Sequence, residues 1–183
     1  MKTVLLFLAT GFQETEALAQ VTICKRTDID IKTVSVTGGQ MVESTNGVVV
    51  KADLVMGRDT LPQADMLILP GGMPGSENLY NSAQLRDLIT THVKAGLPVA
   101  AICAAPLVLG RMNLLSGHQA TCYPGFEPEL KGATTTGATV EVDRQFITGH
   151  GPGAAIDFGL AVVTCLMGKA EADRVAATMV WPY

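Results

Sequence analysis

The stretch Val99-Ala100-Ala101-Ile102-Cys103-Ala104-Ala105-Pro106 decides how this chain is read. Val99 to Ile102 is a short continuous apolar run, the signature of a strand buried on both faces. Pro106 is tolerated in the first turn of a helix, so a helix is predicted to begin about Ala105. Cys103 therefore falls on a tight strand-to-helix turn with only small residues beside it. This is the geometry of a nucleophile elbow, with cysteine in the serine's place. A helix N-terminus at that point favours a thiolate, and its free N–H groups can bind an oxyanion. A thiol pKa lowered by ~3 units would make the side chain mostly thiolate at pH 7. Pattern alone leaves a second reading open, an inert core thiol, because free cysteine is often buried.

The same kind of punctuation recurs on either side. Short apolar runs alternate with stretches of helical period, which predicts a mostly parallel sheet covered by helices on both faces. Thr3 to Ala9, Ile29 to Val36 and Met66 to Leu69 read as further strands. Helices are predicted from Glu14 to about Arg26, with Ala17, Leu18, Val21 and Cys24 at core spacing, and from Ser82 to Ala95. A third carries Phe158, Ala161, Val162, Cys165 and Leu166 on one stripe, and a fourth fills Ala170 to about Val180. Asn46-Gly47, between Met41-Val42 and Val48-Val49-Val50, is a two-residue hairpin signal. Thr139 to Val142 and Phe146 to Thr148 read as another hairpin, turning at Asp143-Arg144.

The 183 residues suggest one domain spanning 1–183. Charged residues are 16% and hydrophobic ones 48%, which fits a compact globule. A net charge of −4 with no basic run offers no footprint for nucleic acid or an anionic membrane. The apolar run after Lys2 reads as a buried first strand, not a signal peptide. The run from Leu97 to Gly110 is interrupted by Pro98 and Pro106, and is too short to span a bilayer. Cys24, Cys103, Cys122 and Cys165 are widely spaced, without a C-x-x-C or a Cys/His cluster, so free thiols and no metal are expected. A soluble, cytoplasmic protein follows from these readings.

In an open α/β sheet, ligands bind beyond the carboxyl ends of the strands. The loops Thr10–Gln13, Pro70–Gly75, the Cys103 turn and Gly149–Gly153 all leave such ends. Glu14 and Glu16 open the first helix. Glu14 reads as favourable charge at a helix N-terminus. Glu16, if it crosses the strand ends towards Cys103, would have a raised pKa and could donate a hydrogen bond to a thiolate. Cys24 and Cys165 lie on apolar helical faces and read as core, whereas Cys122 precedes Tyr123-Pro124 in a loop and reads as partly exposed. His92 lies on an apolar stripe and reads as packed, and His118 as a turn residue. His150 lies in the Gly149–Gly153 loop, where it could reach the pocket or a dimer surface.

These residues together make the sequence resemble the ThiJ/PfpI superfamily, and within it the protein deglycase branch associated with parkinsonism in humans. The matching pieces are Gly11-Phe12-Gln13-Glu14-Thr15-Glu16, Leu69-Pro70-Gly71-Gly72, Ala100-Ala101-Ile102-Cys103-Ala104-Ala105-Pro106 and Gly151-Pro152-Gly153. The resemblance implies a flavodoxin-like three-layer sandwich, a homodimer, and Cys103 as nucleophile with Glu16 as its protonated partner. It also implies an oxyanion pocket from the amides of Gly72 and Ala104, beside Gly71. The implied reaction is attack on methylglyoxal, glyoxal or an early glycation adduct of a protein or thiol, without metal or cofactor. A redox sensor or oxidation-dependent chaperone using Cys103 is the competing role, and thiamine-precursor metabolism follows only from the historical family name. Ala104 stands where peptidase-like relatives carry a histidine, which argues against a Cys-His peptidase. Tyr123 stands before Pro124 where some deglycase relatives carry a histidine. A phenol, with pKa of about 10, is a poor base at neutral pH but can still hydrogen-bond a substrate oxygen.

Overall fold

Alternating apolar strands and amphipathic helices have one economical packing, a sheet with both faces covered. The computed structural model describes residues 1–182 and has that arrangement. The first strand, β1 (Lys2–Leu8), leads through α1 (Glu14–Cys24) to β2 (Ile29–Ser35). A hairpin of β3 (Met41–Glu43) and β4 (Val49–Lys51) follows, then the edge strand β5 (Leu54–Val55). Next come β6 (Met66–Leu69), α2 (Gly75–Asn81), α3 (Ala83–Lys94), β7 (Val99–Ile102) and α4 (Pro106–Arg111). The remainder is β8 (Gln119–Ala120), a 3-10 turn at Glu127–Glu129, β9 (Thr134–Thr135), β10 (Val140–Asp143), β11 (Phe146–Gly149), α5 (Ala155–Met167) and α6 (Lys169–Thr178).

Seven strands form the main sheet in the order β10-β11-β7-β6-β1-β2-β5. All neighbours are parallel except β10 and β11, which make the expected hairpin. β6 and β7 are buried along their whole length, as their unbroken apolar runs require. α1, α5 and α6 pack together on one side, while α2 contacts α3 and α4 on the other. The register sets Leu6 opposite Ile68 and Leu69 opposite Ala101. The loops after β1, β6 and β7 therefore leave neighbouring positions on one edge of the sheet.

Four local expectations need correction. The Asn46-Gly47 hairpin exists but turns over three residues. Ser44 N–H donates to Val48 and Gly47 N–H donates to Ser44, with Gly47 at φ 81°. That is a type I turn closed by a left-handed glycine, which the two-residue pattern does not distinguish. Leu18 is 40% exposed, because the buried face of α1 runs through Glu16, Gln20 and Ile23 instead. Cys165 is exposed, since the last turn of α5 projects beyond its packed face. Cys122 is buried, not exposed. Its neighbours are stitched to β11 and to the elbow by Thr121 N–H to Thr148 Oγ1 (2.9 Å) and Tyr123 N–H to the Cys103 carbonyl (2.8 Å).

α6 ends in a Schellman motif, with Val180 N–H bonded to the Ala177 carbonyl and Trp181 N–H to that of Ala176. The left-handed position belongs to Val180, at φ 55° and 88% exposed. A β-branched residue there is strained, by ~1–2 kcal/mol. Glycine relieves this, less its larger entropy loss on folding. Val180→Gly is expected to raise stability by roughly 0.5–1 kcal/mol in urea unfolding, with the slope unchanged.

Candidate active site

β7 runs into α4 through Cys103, which is held at φ 65°. A non-glycine residue keeps such a conformation only where its surroundings over-determine it. Here both backbone groups are clamped. The Cys103 N–H donates to the Gly149 carbonyl (2.8 Å), and its carbonyl accepts the Tyr123 N–H (2.8 Å). Cys103 is 7% exposed, so the elbow is largely covered.

Glu16 arrives from the first turn of α1 and is fully buried. Its Oε2 accepts the Gly71 N–H at 2.7 Å, and the carboxyl lies close enough to the Cys103 thiol for each to perturb the other's charge. Oε1 has no oxygen or nitrogen partner. The Gly71 carbonyl is in turn held by the Gln13 N–H at 2.8 Å. Gly71 cannot be replaced without movement: a Cβ there would lie 2.6 Å from the Cys103 Cβ and 2.7 Å from Glu16 Oε2. Gly72 takes a left-handed φ of 90° that aims its amide inward. The amides of Gly72 and Ala104 lie near enough to the Cys103 sulfur to favour negative charge on it. Sequence-predicted Cys103, Glu16, Gly71, Gly72 and Ala104 thus form one cluster.

The electrostatics differ from the expected low thiol pKa. Burial, then the charge and hydrogen bond of Glu16, push the Cys103 thiol up to about 12, while the two amides pull it down. Burial pushes Glu16 itself up to about 7, against the hydrogen bonds of Cys103 and Gly71. One poorly hydrated pocket disfavours two negative charges, so the two groups titrate as a coupled pair, the first proton leaving well before the second. When Glu16 is neutral, its opposition to a thiolate disappears and the amides of Gly72 and Ala104 remain.

Tyr123 and His150 are brought together, but not against the sulfur. They line a depression of about 400 Å³ with Pro124, Thr139 and the Gly151–Ala154 turn, beside the elbow. Tyr123 is 46% exposed, and His150 Nδ1 lies 3.2 Å from Thr121 Oγ1. Glu14 accepts a hydrogen bond from Asn46 Nδ2 (2.6 Å), tying the β3–β4 hairpin to the first turn of α1. His92 is packed as expected, its Nε2 3.1 Å from the Pro98 carbonyl. Among the described residues no group of three His, Cys, Asp or Glu side chains is placed to hold a metal. No helix among them is long and apolar enough to cross a membrane. Sequence reasoning misses Gln20, buried one turn after Glu16, whose Nε2 donates to the carbonyls of Glu16 (3.2 Å) and Ala155 (3.0 Å). Its i+4 spacing from Glu16 was the available signal.

Residues 2–165 match the model of the DJ-1/PfpI family. The chain belongs to that family. It is 32% identical to protein dj-1beta of Drosophila melanogaster, covering 100% of this chain and 98% of the relative. DJ-1 homolog A of Arabidopsis thaliana is 36% identical over 97% of this chain but only 46% of its own length. The chain thus spans about half the length of that curated relative and 41% of DJ-1 homolog B from the same plant. Among solved structures, oxidized Toxoplasma gondii DJ-1 superposes with a TM-score of 0.96 at 33% identity, covering 100% of both chains. A DJ-1 superfamily protein from Salmonella typhimurium, solved as a C103A mutant, gives 0.95 at 30%, again covering 100% of both. This DJ-1/PfpI protein therefore has the flavodoxin-like α/β fold of its relatives.

The raised Glu16 pKa fixes a sign for stability against pH. The folded state holds the Glu16 proton more tightly than the unfolded chain. The resulting stability is fully present below pH 4.5 and is lost as pH rises to about 7. Glu16→Gln is expected to flatten that loss, which amounts to roughly 3 kcal/mol. Urea unfolding of both proteins at pH 4.5, 6 and 7.5 measures it.

Proposed function

We propose that this chain is a cysteine-dependent glyoxalase or deglycase that acts on methylglyoxal, glyoxal or their early glycation adducts. The observation that carries this reading is the convergence of two backbone amides and one buried carboxyl on the Cys103 sulfur. The reactive state has the proton on Glu16 and the charge on sulfur, where the amides of Gly72 and Ala104 stabilise it. The thiolate adds to the aldehyde carbon, and Glu16 gives its proton to the new oxyanion, leaving a hemithioacetal and a Glu16 carboxylate. Glu16, with a pKa of about 7, can accept the C1 proton and return one to C2. The resulting thioester is hydrolysed by water, releasing lactate, or glycolate from glyoxal, and restoring the thiol. Methylglyoxal plus water becomes lactate, with no change in overall oxidation state. Tyr123 and His150 offer hydrogen bonds to the part of a larger adduct that extends beyond the sulfur.

A second reading, redox sensing, draws on the same donors. The Glu16 carboxyl and the two amides could hold a sulfinate on Cys103, and the relative from Toxoplasma gondii was solved in an oxidized form. The two readings separate in one experiment. Purified reduced protein is expected to convert methylglyoxal to lactate without glutathione, and Cys103→Ala to lose at least ~10³-fold of that rate. Absence of turnover, with mild peroxide adding two oxygens at Cys103 alone, would replace the enzymatic reading with the redox one.

The proton's location has its own test in the pH dependence of Cys103 alkylation. Glu16→Leu removes a donor if Glu16 is neutral in the reactive state, and removes an opposing charge if it is ionised. The thiol pKa is expected to rise by roughly 1 unit or more. A fall, or no change, would refute the proposed proton donor.

A further inference from the structure

Three short segments deliver the groups that surround Cys103. α4, of six residues, follows the Ala104 amide, and α2, of seven, follows the Gly72 loop. The 3-10 turn Glu127–Glu129 follows the Tyr123–Pro124 loop. Helices this short have little stability of their own. Neither α2 nor α4 has a side-chain hydrogen bond at its N-cap. Yet the amides that precede them must meet at one sulfur, with tolerances near half an ångström.

One side chain joins all three segments. Arg111, the last residue of α4, grips Glu77 of α2 through Nη1 (2.6 Å) and Nη2 (2.9 Å). It grips Glu129 of the 3-10 turn through Nε (2.8 Å) and Nη2 (3.0 Å). The guanidinium also lies over the ring of Tyr80 in α2, 5.2 Å from its centroid, as does that of Arg86. Gly110 completes the joint, since any Cβ there would collide with the Glu129 carbonyl oxygen. α4 and the 3-10 turn therefore touch backbone to backbone beside the fork. Lysine cannot reproduce two bidentate grips with one ammonium group.

We propose that Arg111 is a positioning residue, holding Glu77 and Glu129 so that the Gly72 and Ala104 amides and the Tyr123 loop keep one register around Cys103. The proposal rests on Cys103 being the nucleophile. Arg111 is the last residue of α4, about 7.5 Å along its axis from Pro106, so it acts through backbone and not on substrate. Arg111 and its two carboxylates are partly buried and paired bidentately, so the fork supplies geometry as well as stability, and only a readout at Cys103 separates the two.

The test is the rate of Cys103 alkylation by iodoacetamide against pH, in full-length Arg111→Lys, below its melting transition. Arg174→Gln, which breaks a forked pair with Glu171 on α6, serves as the control. The alkylation midpoint of Arg111→Lys is expected to shift up by about half a unit or more, and that of Arg174→Gln to stay. The kcat for methylglyoxal is expected to fall ~10-fold in Arg111→Lys, with KM little changed. An alkylation curve superimposable on wild type, whatever the change in melting temperature, overturns the proposal. If Arg111→Lys does not fold, Glu129→Gln weakens one grip and is judged on the same curve. Alkylation needs no aldehyde substrate, so a protein that fails to turn over methylglyoxal would sink the enzymatic reading and leave this test intact.

Discussion

A carboxyl and a thiol that compete for charge in one dry pocket, Glu16 and Cys103, press against the peptide of Gly71, and much of the structure serves that contact. Burying an acid is costly unless its oxygens are hydrogen-bonded. Oε2 is satisfied by the Gly71 N–H, and Oε1 is left without an oxygen or nitrogen partner. The approach is close enough that Gly71 must lack a side chain. On the other side of the contact, Cys103 is held in a left-handed conformation by Gly149 and Tyr123. Strain in the backbone and desolvation of an acid meet at one point, which is characteristic of sites built for chemistry.

The parallel sheet brings these groups together. Glu16 lies beyond the end of β1, Gly71 and Gly72 beyond β6, and Cys103 at the end of β7, and β6 lies between the other two strands. Fully buried strands make that edge a rigid base, while the segments above it are short and held by side chains. Asn46 ties the β3–β4 hairpin to Glu14, Gln20 ties the Glu16 turn to the start of α5, and Arg111 joins α2, α4 and the Glu127–Glu129 turn. The base is apolar and the segments above it are tied by polar side chains, which fixes the pocket on the sheet.

The sequence misleads where a residue's surroundings, and not its type, decide its state. Cys165 lies at core spacing but on a helical turn that overruns the packed face, so it is exposed. Cys122 lies in a polar loop but is covered because its neighbours are stitched to β11 and the elbow. Leu18 fits an apolar stripe, yet α1 buries Gln20 and Glu16 in preference, because α5 and the Gly71 loop offer them partners. The thiol pKa failed for the same reason. A helix N-terminus favours a thiolate, but burial and a nearby carboxylate oppose it, and neither is visible along the chain.

What the sequence determined by itself is local. Unbroken apolar runs specify buried parallel strands, Pro106 after Cys103 specifies an elbow, and Gly71-Gly72 marks a close approach of backbone. These follow from sterics and hydrophobic periodicity acting over a few residues. The tertiary structure decided which groups meet: that Glu16, 87 positions before Cys103 in the chain, shares its pocket, that Tyr123 and His150 line a neighbouring depression, and that Arg111 couples three short segments. Contacts between distant residues depend on strand order and helix register, and charge depends on who shares the pocket, so both exist only once the chain has folded.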